Sequence, residues 1–208
     1  MASSEYEALE ARLVNAGAPT SASKGPLEIE GPIEVLVNSR VSALPYEDLL
    51  LDALPRLGGN ELEMVVRALT ERGMKRAGPA LVELMAAEEH RGKDGLLWSI
   101  GNALNTINDR RTYGAVLTFC AEGRLGMARQ MLFTVLSNIR TDEAFRCALA
   151  GVDDPTVRGH AIEALGRFGR PDALPVLHEL KTQPGLYEHK AKATAIRRLE
   201  RAKAPRAR

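Results

Sequence analysis

The sequence predicts an all-α chain built as a solenoid of stacked helical hairpins, and three observations predict it. The composition is aliphatic: of 208 residues 45% are hydrophobic but only 4% aromatic, a profile that suits closely packed helices and disfavours a β-sandwich. A helical signature recurs at "VVRALTERG" (65–73), "IGNALNTIND" (100–109), "LFTVLSNIRT" (132–141), "AIEALGRFGR" (161–170) and "AIRRLERAKA" (195–204). With Leu69, Leu104, Leu136, Leu165 and Leu199 taken as equivalent, the steps are 35, 32, 29 and 34 residues, about one helical hairpin each. Between the signatures lies a second amphipathic segment, "AGPALVELMAA", "TYGAVLTFCAE", "DEAFRCALAG" and "DALPVLHELKT", each after a turn rich in Gly, Pro, Asp or Arg. No hairpin of this kind buries its apolar face alone, so stacking is what yields a continuous core.

Taken in order, "SSEYEALEARLVNAG" reads as an amphipathic helix and residues 17–32 as a Gly/Pro/Ser-rich connector. "IEVLVNSRVSAL" and "YEDLLLDALPRL" read as a helical pair, although the β-branched density of the first leaves a strand open. Residues 1–59 are thus expected to be an N-terminal helical cap, 60–202 the repeats and 203–208 a basic tail. The clearest unit runs from Asp153 to Lys181. Asp153 or Asp154 is placed to cap its first helix, with Pro155 in the first turn, where a missing N–H costs nothing. Ala161, Ala164 and Leu165 put small and branched side chains on one face, so that neighbouring helices can approach closely.

This unit resembles the HEAT-like repeat of the phycobilisome-lyase type. Asp154-Pro155, Val157-Arg158, Ala161, Ala164-Leu165-Gly166 and then Pro171, Ala173-Leu174-Pro175 and Leu177 carry the likeness. The resemblance implies a right-handed superhelix in which the helix bearing the Val-Arg and Ala-Leu positions lines a concave surface. On that basis the open face of the helix is His160, Glu163 and Arg167. The repeat carries this face onto Met64, Arg67 and Glu71, then Ser99, Asn102 and Thr106, then Met131, Thr134 and Asn138, then Thr194, Arg197 and Arg201. The two middle sets lack the Lys and Glu that a solvated helix face normally carries. Arg158 has two open roles, pairing with an Asp of the adjacent turn or meeting a ligand.

"LLWSIGNAL" is also similar to the Trp-x-x-x-Asn pattern of armadillo-type repeats, whose Asn clamps the backbone of an extended peptide while the indole packs its side chains. Trp98 and Asn102 match it, and a carboxamide, both donor and acceptor, can pair with any peptide group. The other reading makes Trp98 a gap-filling core residue and Asn102 a surface residue or a helix-packing hydrogen bonder.

Function classes narrow accordingly. His90, His160, His178 and His189 are scattered, without the spacing of a metal site, and P-loop, GxGxxG and GxSxG signatures are missing from the sequence, so neither an enzyme nor a cofactor is expected. Cys120 and Cys147 sit in apolar helical contexts and read as reduced core thiols. The N-terminus is acidic and polar, and no apolar run reaches membrane-spanning length, so a cytoplasmic protein without a membrane partner is expected. Net charge runs from −7 over residues 1–63, through +1 over 64–154, to +7 over 155–208. The expected activity is a scaffold or adaptor that binds a protein or extended peptide through Trp98, Ser99, Asn102, Thr106, Met131, Thr134, Asn138, His160 and Arg167. The alternative is a nucleic-acid-binding solenoid resembling alkylpurine DNA glycosylases. It would use Asp94 or Asp109 beside Trp98, with Arg67, Arg110, Arg111, Arg129, Arg140, Arg158 and Arg167 on phosphates.

Overall fold

The computed structural model describes residues 2–74, 76–88 and 94–203, apart from the side chains of Glu88 and Arg124. His90 and residues 204–208 of the expected tail lie outside the described residues. The described residues are mainly helical, with twelve α-helices and one small β-hairpin. The chain forms two compact units, Met1–Thr112 and Tyr113–Arg208.

The first unit opens with α1 (Ser4–Asn15), whose first turn is capped by the Ser3 hydroxyl, accepting from the Tyr6 N–H at 3.2 Å. A hairpin of β1 (Ser21–Lys24) and β2 (Leu27–Glu30) follows, with Lys24 paired to Leu27 across Gly25 and Pro26. Gly25 at φ 63° supplies the left-handed residue that such a tight turn demands. The segment expected to be a plain connector therefore contains strands, because "LEIE" alternates and the Gly-Pro pair can reverse the chain. The ambiguous "IEVLVN" becomes helix: α2 (Pro32–Asn38) starts on Pro32 and buries Ile33 and Val35.

Then come α3 (Glu47–Ala53), α4 (Gly59–Ala68), α5 (Ala77–Glu88) and α6 (Asp94–Ile107). Packing skips along the chain: α2 lies on α4 and α4 on α6, while α3 meets α5, so alternate helices form two rows. The expected boundary at residue 59 falls inside this unit. Packing of α2 on α4 crosses it, and so do the Ser3 hydrogen bonds to the Glu61 carboxylate at 2.5 and 2.6 Å.

The second unit repeats the pattern with α7 (Tyr113–Ala121), α8 (Gln130–Ile139), α9 (Asp142–Ala150), α10 (Arg158–Phe168), α11 (Leu174–Glu179) and α12 (Tyr187–Lys203). Helix α8 packs on α10 and α10 on α12, with α7 against α9. All five signature leucines, Leu69, Leu104, Leu136, Leu165 and Leu199, are buried. Each such burial favours folding by about 1.5–3 kcal/mol, which is why the periodicity was readable.

The start of α10 differs from the expectation. The helix begins at Arg158, Val157 sits at its N-cap, and Pro155 belongs to the preceding turn. Asp154 does not cap the helix with its side chain, because its carboxylate is already engaged by Thr156 and by Arg129. Burial works to raise the Asp154 pKa, but the Thr156 and Arg129 hydrogen bonds prevail and hold it at about 2. Arg129 is only 4% exposed and also donates to the Cys120 carbonyl at 3.1 Å. The arginine that meets this Asp is therefore Arg129; Arg158 donates to the Val152 carbonyl at 2.8 Å and lies 4.0 Å from Glu188.

Candidate functional site

In the second unit, His160, Glu163 and Arg167 occupy successive positions along one face of α10, as helical spacing requires. Glu163 joins them: it accepts from Arg167 Nη2 at 2.6 Å and from the Tyr187 hydroxyl, at the start of α12, also at 2.6 Å. The Tyr187 ring lies 5.2 Å from the His160 ring, centroid to centroid. It can do so because residue 159 is a glycine; a Cβ there would stand 2.4 Å from Tyr187 Cδ1. Further along, Gly166 lets α12 approach, since a Cβ would fall 2.9 Å from the Ala195 Cα.

The result is a cleft of about 250 Å³ between α10 and α12, lined by Glu163, Gly166, Tyr187, Lys190, Ala191, Thr194, Ala195 and Arg198. Tyr187 is 51% exposed yet fixed at both ends, its hydroxyl on Glu163 and its ring over Gly159. Burial favours protonated Glu163, but the Tyr187 hydrogen bond and the Arg167 charge outweigh it, and the carboxyl is held below its ordinary value. Burial likewise favours neutral His160 and lowers its pKa. The site therefore holds a carboxylate and an imidazole that is predominantly uncharged at neutral pH. Tyr187 stays a phenol, its pKa raised by burial and by donation to Glu163. Glu163 is committed to two partners, so the arrangement is one of fixed hydrogen-bonding groups around an aromatic ring.

Tyr187 was missed by the sequence reading, which followed repeat equivalence along the leucine-bearing helices. Its signal lay in Gly159, a small residue in the first turn of α10 that leaves room for a ring.

The remaining expected residues fall in several environments. In the first unit, α6 carries Trp98 at 40% exposure, so the indole is not a fully buried core residue. Asn102 and Thr106 are half-buried along the same helix. Ser99 departs from the expected open face: it is 6% exposed and donates to Glu63 Oε1 of α4 at 3.1 Å. In the second unit, Asn138 is exposed and Met131 half-buried. Thr134 is 5% exposed, its hydroxyl turned back onto the Met131 carbonyl at 2.6 Å. Ser99 is thus spent on the neighbouring helix α4, and Thr134 on the backbone of its own helix.

Besides Arg158 and Arg167, two more arginines expected on phosphates have protein partners. Arg129 is buried in its pair with Asp154, and Arg111 donates to Asp109 through Nε at 2.8 Å and Nη2 at 2.6 Å. The Arg111 hydrogen bond holds Asp109 below the usual carboxylate range. Among the described residues no group of three or more His, Cys, Asp or Glu could hold a metal ion, and no helix is long and apolar enough to cross a membrane.

The chain matches no curated protein and no solved structure. Residues 157–183, which span α10, the following turn and α11, match the family model of the PBS lyase HEAT-like repeat. The matched hairpin supplies the α10 side of the cleft, and on this match the chain contains a HEAT-like repeat at residues 157–183.

Proposed function

We propose that this protein is a non-catalytic, cytoplasmic scaffold or adaptor whose α10–α12 face binds a polypeptide partner. The observation that carries the reading is Tyr187, half exposed but held by Glu163 and Gly159 beside His160 and Arg167. A rigid amphipathic ring with a polar rim is the side chain that anchors protein interfaces, because it covers much area while losing little conformational freedom. Lys190 and Arg198 flank the cleft and favour a partner segment bearing acidic residues. In the first unit, Trp98 with Asn102 and Thr106 offers a second contact of the same kind, an exposed indole beside a carboxamide. The right-handed superhelical path expected of HEAT-like hairpins is part of this proposal.

The nucleic-acid alternative draws less support. Counterion release requires guanidinium groups free to meet phosphates, and Arg111 and Arg129 are engaged within the fold. Of the two Asp residues the glycosylase form could use, Asp109 is held by Arg111, which leaves Asp94.

The test is selection of displayed peptides on immobilised full-length protein, followed by affinity measurement at low and high salt against wild type, Tyr187→Ala and Trp98→Ala. Peptides that bind wild type with modest salt dependence and lose affinity at least about tenfold with Tyr187→Ala support the reading, since an aromatic anchor is worth about 2 kcal/mol or more. Failure to enrich any peptide, with tight salt-sensitive binding to duplex DNA instead, would overturn it.

A further inference from the structure

We propose that Cys120 and Cys147 form an oxidisable dithiol site, with Cys147 the attacking thiol and Cys120 the resolving one, whose co-substrate is a low-molecular-weight disulfide. Independently of partner binding, four observations bring this site together. Cys120 stands in the last turn of α7 and Cys147 in α9, and these helices pack against each other. Both residues line one cleft of about 480 Å³, whose wall also includes Arg129 and Asp154. Cys120 is buried and Cys147 partly exposed, so a reagent entering the cleft meets Cys147 first. The two thiols are also near enough to influence each other's ionisation.

The electrostatics assign the two roles. The neighbouring Cys120 thiol, helped by the Arg129 charge, favours the Cys147 thiolate and lowers its pKa against the effect of burial. Burial and the neighbouring Cys147 push the Cys120 thiol up, keeping it protonated until its neighbour has reacted. Reactive cysteines require this combination of partial exposure and a nearby positive charge, and structural core cysteines lack it.

The chemistry balances without any other reagent. The Cys147 thiolate attacks one sulfur of R–S–S–R, forming a Cys147–S–S–R bond and expelling one RS⁻, which takes a proton to become RSH. Cys120 then gives up its proton, and its thiolate attacks the Cys147 sulfur, forming the Cys120–Cys147 bond and expelling the second RS⁻, which is protonated in turn. Two protein thiols are oxidised to one disulfide, and the small disulfide is reduced to two thiols. The crosslink ties the end of α7 to α9.

The experiment uses the full-length reduced chain and glutathione disulfide, with timed alkylation, intact-mass analysis and non-reducing peptide mapping. The expected result is a transient glutathione adduct on Cys147, followed by loss of both alkylatable thiols and recovery of a Cys120–Cys147 linked peptide. In Cys120→Ala the adduct on Cys147 should persist. The wild-type time course decides alone should that variant fail to fold. The proposal is overturned if native wild type keeps both thiols, stops at the mixed disulfide, acquires its first adduct on Cys120, or yields only disulfide-linked dimers.

Discussion

Substituting Gly166 by alanine tests the packing that builds the α10–α12 cleft. In an unobstructed helix the change stabilises, by about 1 kcal/mol, because glycine loses more backbone freedom on folding. At Gly166 the new Cβ would lie 2.9 Å from both the Cα and the Cβ of Ala195. The obstacle includes the α12 backbone, which cannot swing aside as a long side chain could, so α10 and α12 must separate. Overpacking of this kind costs about 1–3 kcal/mol, leaving Gly166→Ala destabilised by roughly 0–2 kcal/mol once the propensity gain is subtracted. Gly114 in α7 is the internal comparison: a Cβ there meets nothing within 4 Å, so Gly114→Ala carries the propensity gain without the clash. Urea titration of the full chain by far-ultraviolet circular dichroism should therefore place the two variants on opposite sides of wild type. The midpoint free energies should differ by about 1–3 kcal/mol. If Gly166→Ala is as stable as Gly114→Ala, the helices do not meet at Ala195 and the geometry derived for the cleft is wrong.

Arg129→Ala should be among the most damaging single changes outside the apolar core, costing about 3 kcal/mol in the same titration, because it leaves Asp154 and the Cys120 carbonyl without their partner. A loss within about 0.5 kcal/mol, typical of surface positions, would show that the pair is not buried as described. Thr141 caps α9 by accepting from the Ala144 N–H at 3.2 Å, and Thr141→Ala should cost about 1 kcal/mol. Acid should destabilise the fold in a defined window. Hydrogen bonds from Arg56 and Arg12 hold Asp52 at about 2, as those from Thr156 and Arg129 do Asp154, whereas an unfolded Asp titrates near ~3.9. Stability from these depressed carboxyls is complete above the unfolded value and is lost as pH falls through the folded one. Calorimetric Tm should therefore drop between about pH 4 and about pH 2, and a flat profile there would contradict these pairings.

Much of the fold was legible because its strongest force leaves a periodic trace. Leu69, Leu104, Leu136, Leu165 and Leu199 are all buried within their own units, and their spacing alone located the signature helices. The α10 hairpin was clearest, with its Asp-Pro turn and Ala-Leu-Gly run, and it is the stretch that matches a family pattern. The β1–β2 hairpin was harder to see, since four-residue strands give little periodicity and their only sharp mark is Gly25 at the turn. The candidate site was half legible. His160 and Arg167 followed from helical geometry, but Tyr187 belongs to the next helix, and its seat depends on what residue 159 lacks. Ser99 and Thr134 failed as open positions for a related reason: their hydroxyls are satisfied inside the fold, by Glu63 and by the Met131 carbonyl. Composition marks such a face as polar without saying which polar groups are already spent.

The measurement that tests the central claim most directly is affinity capture from nuclease-treated native lysate, with wild-type chain alongside Tyr187→Ala and a Trp98→Ala/Asn102→Ala double variant, all verified as folded. The account predicts a polypeptide retained by wild type through a high-salt wash and lost or strongly depleted with the variants. Equal retention by all three, or retention of nucleic acid alone when nuclease is omitted, would contradict it.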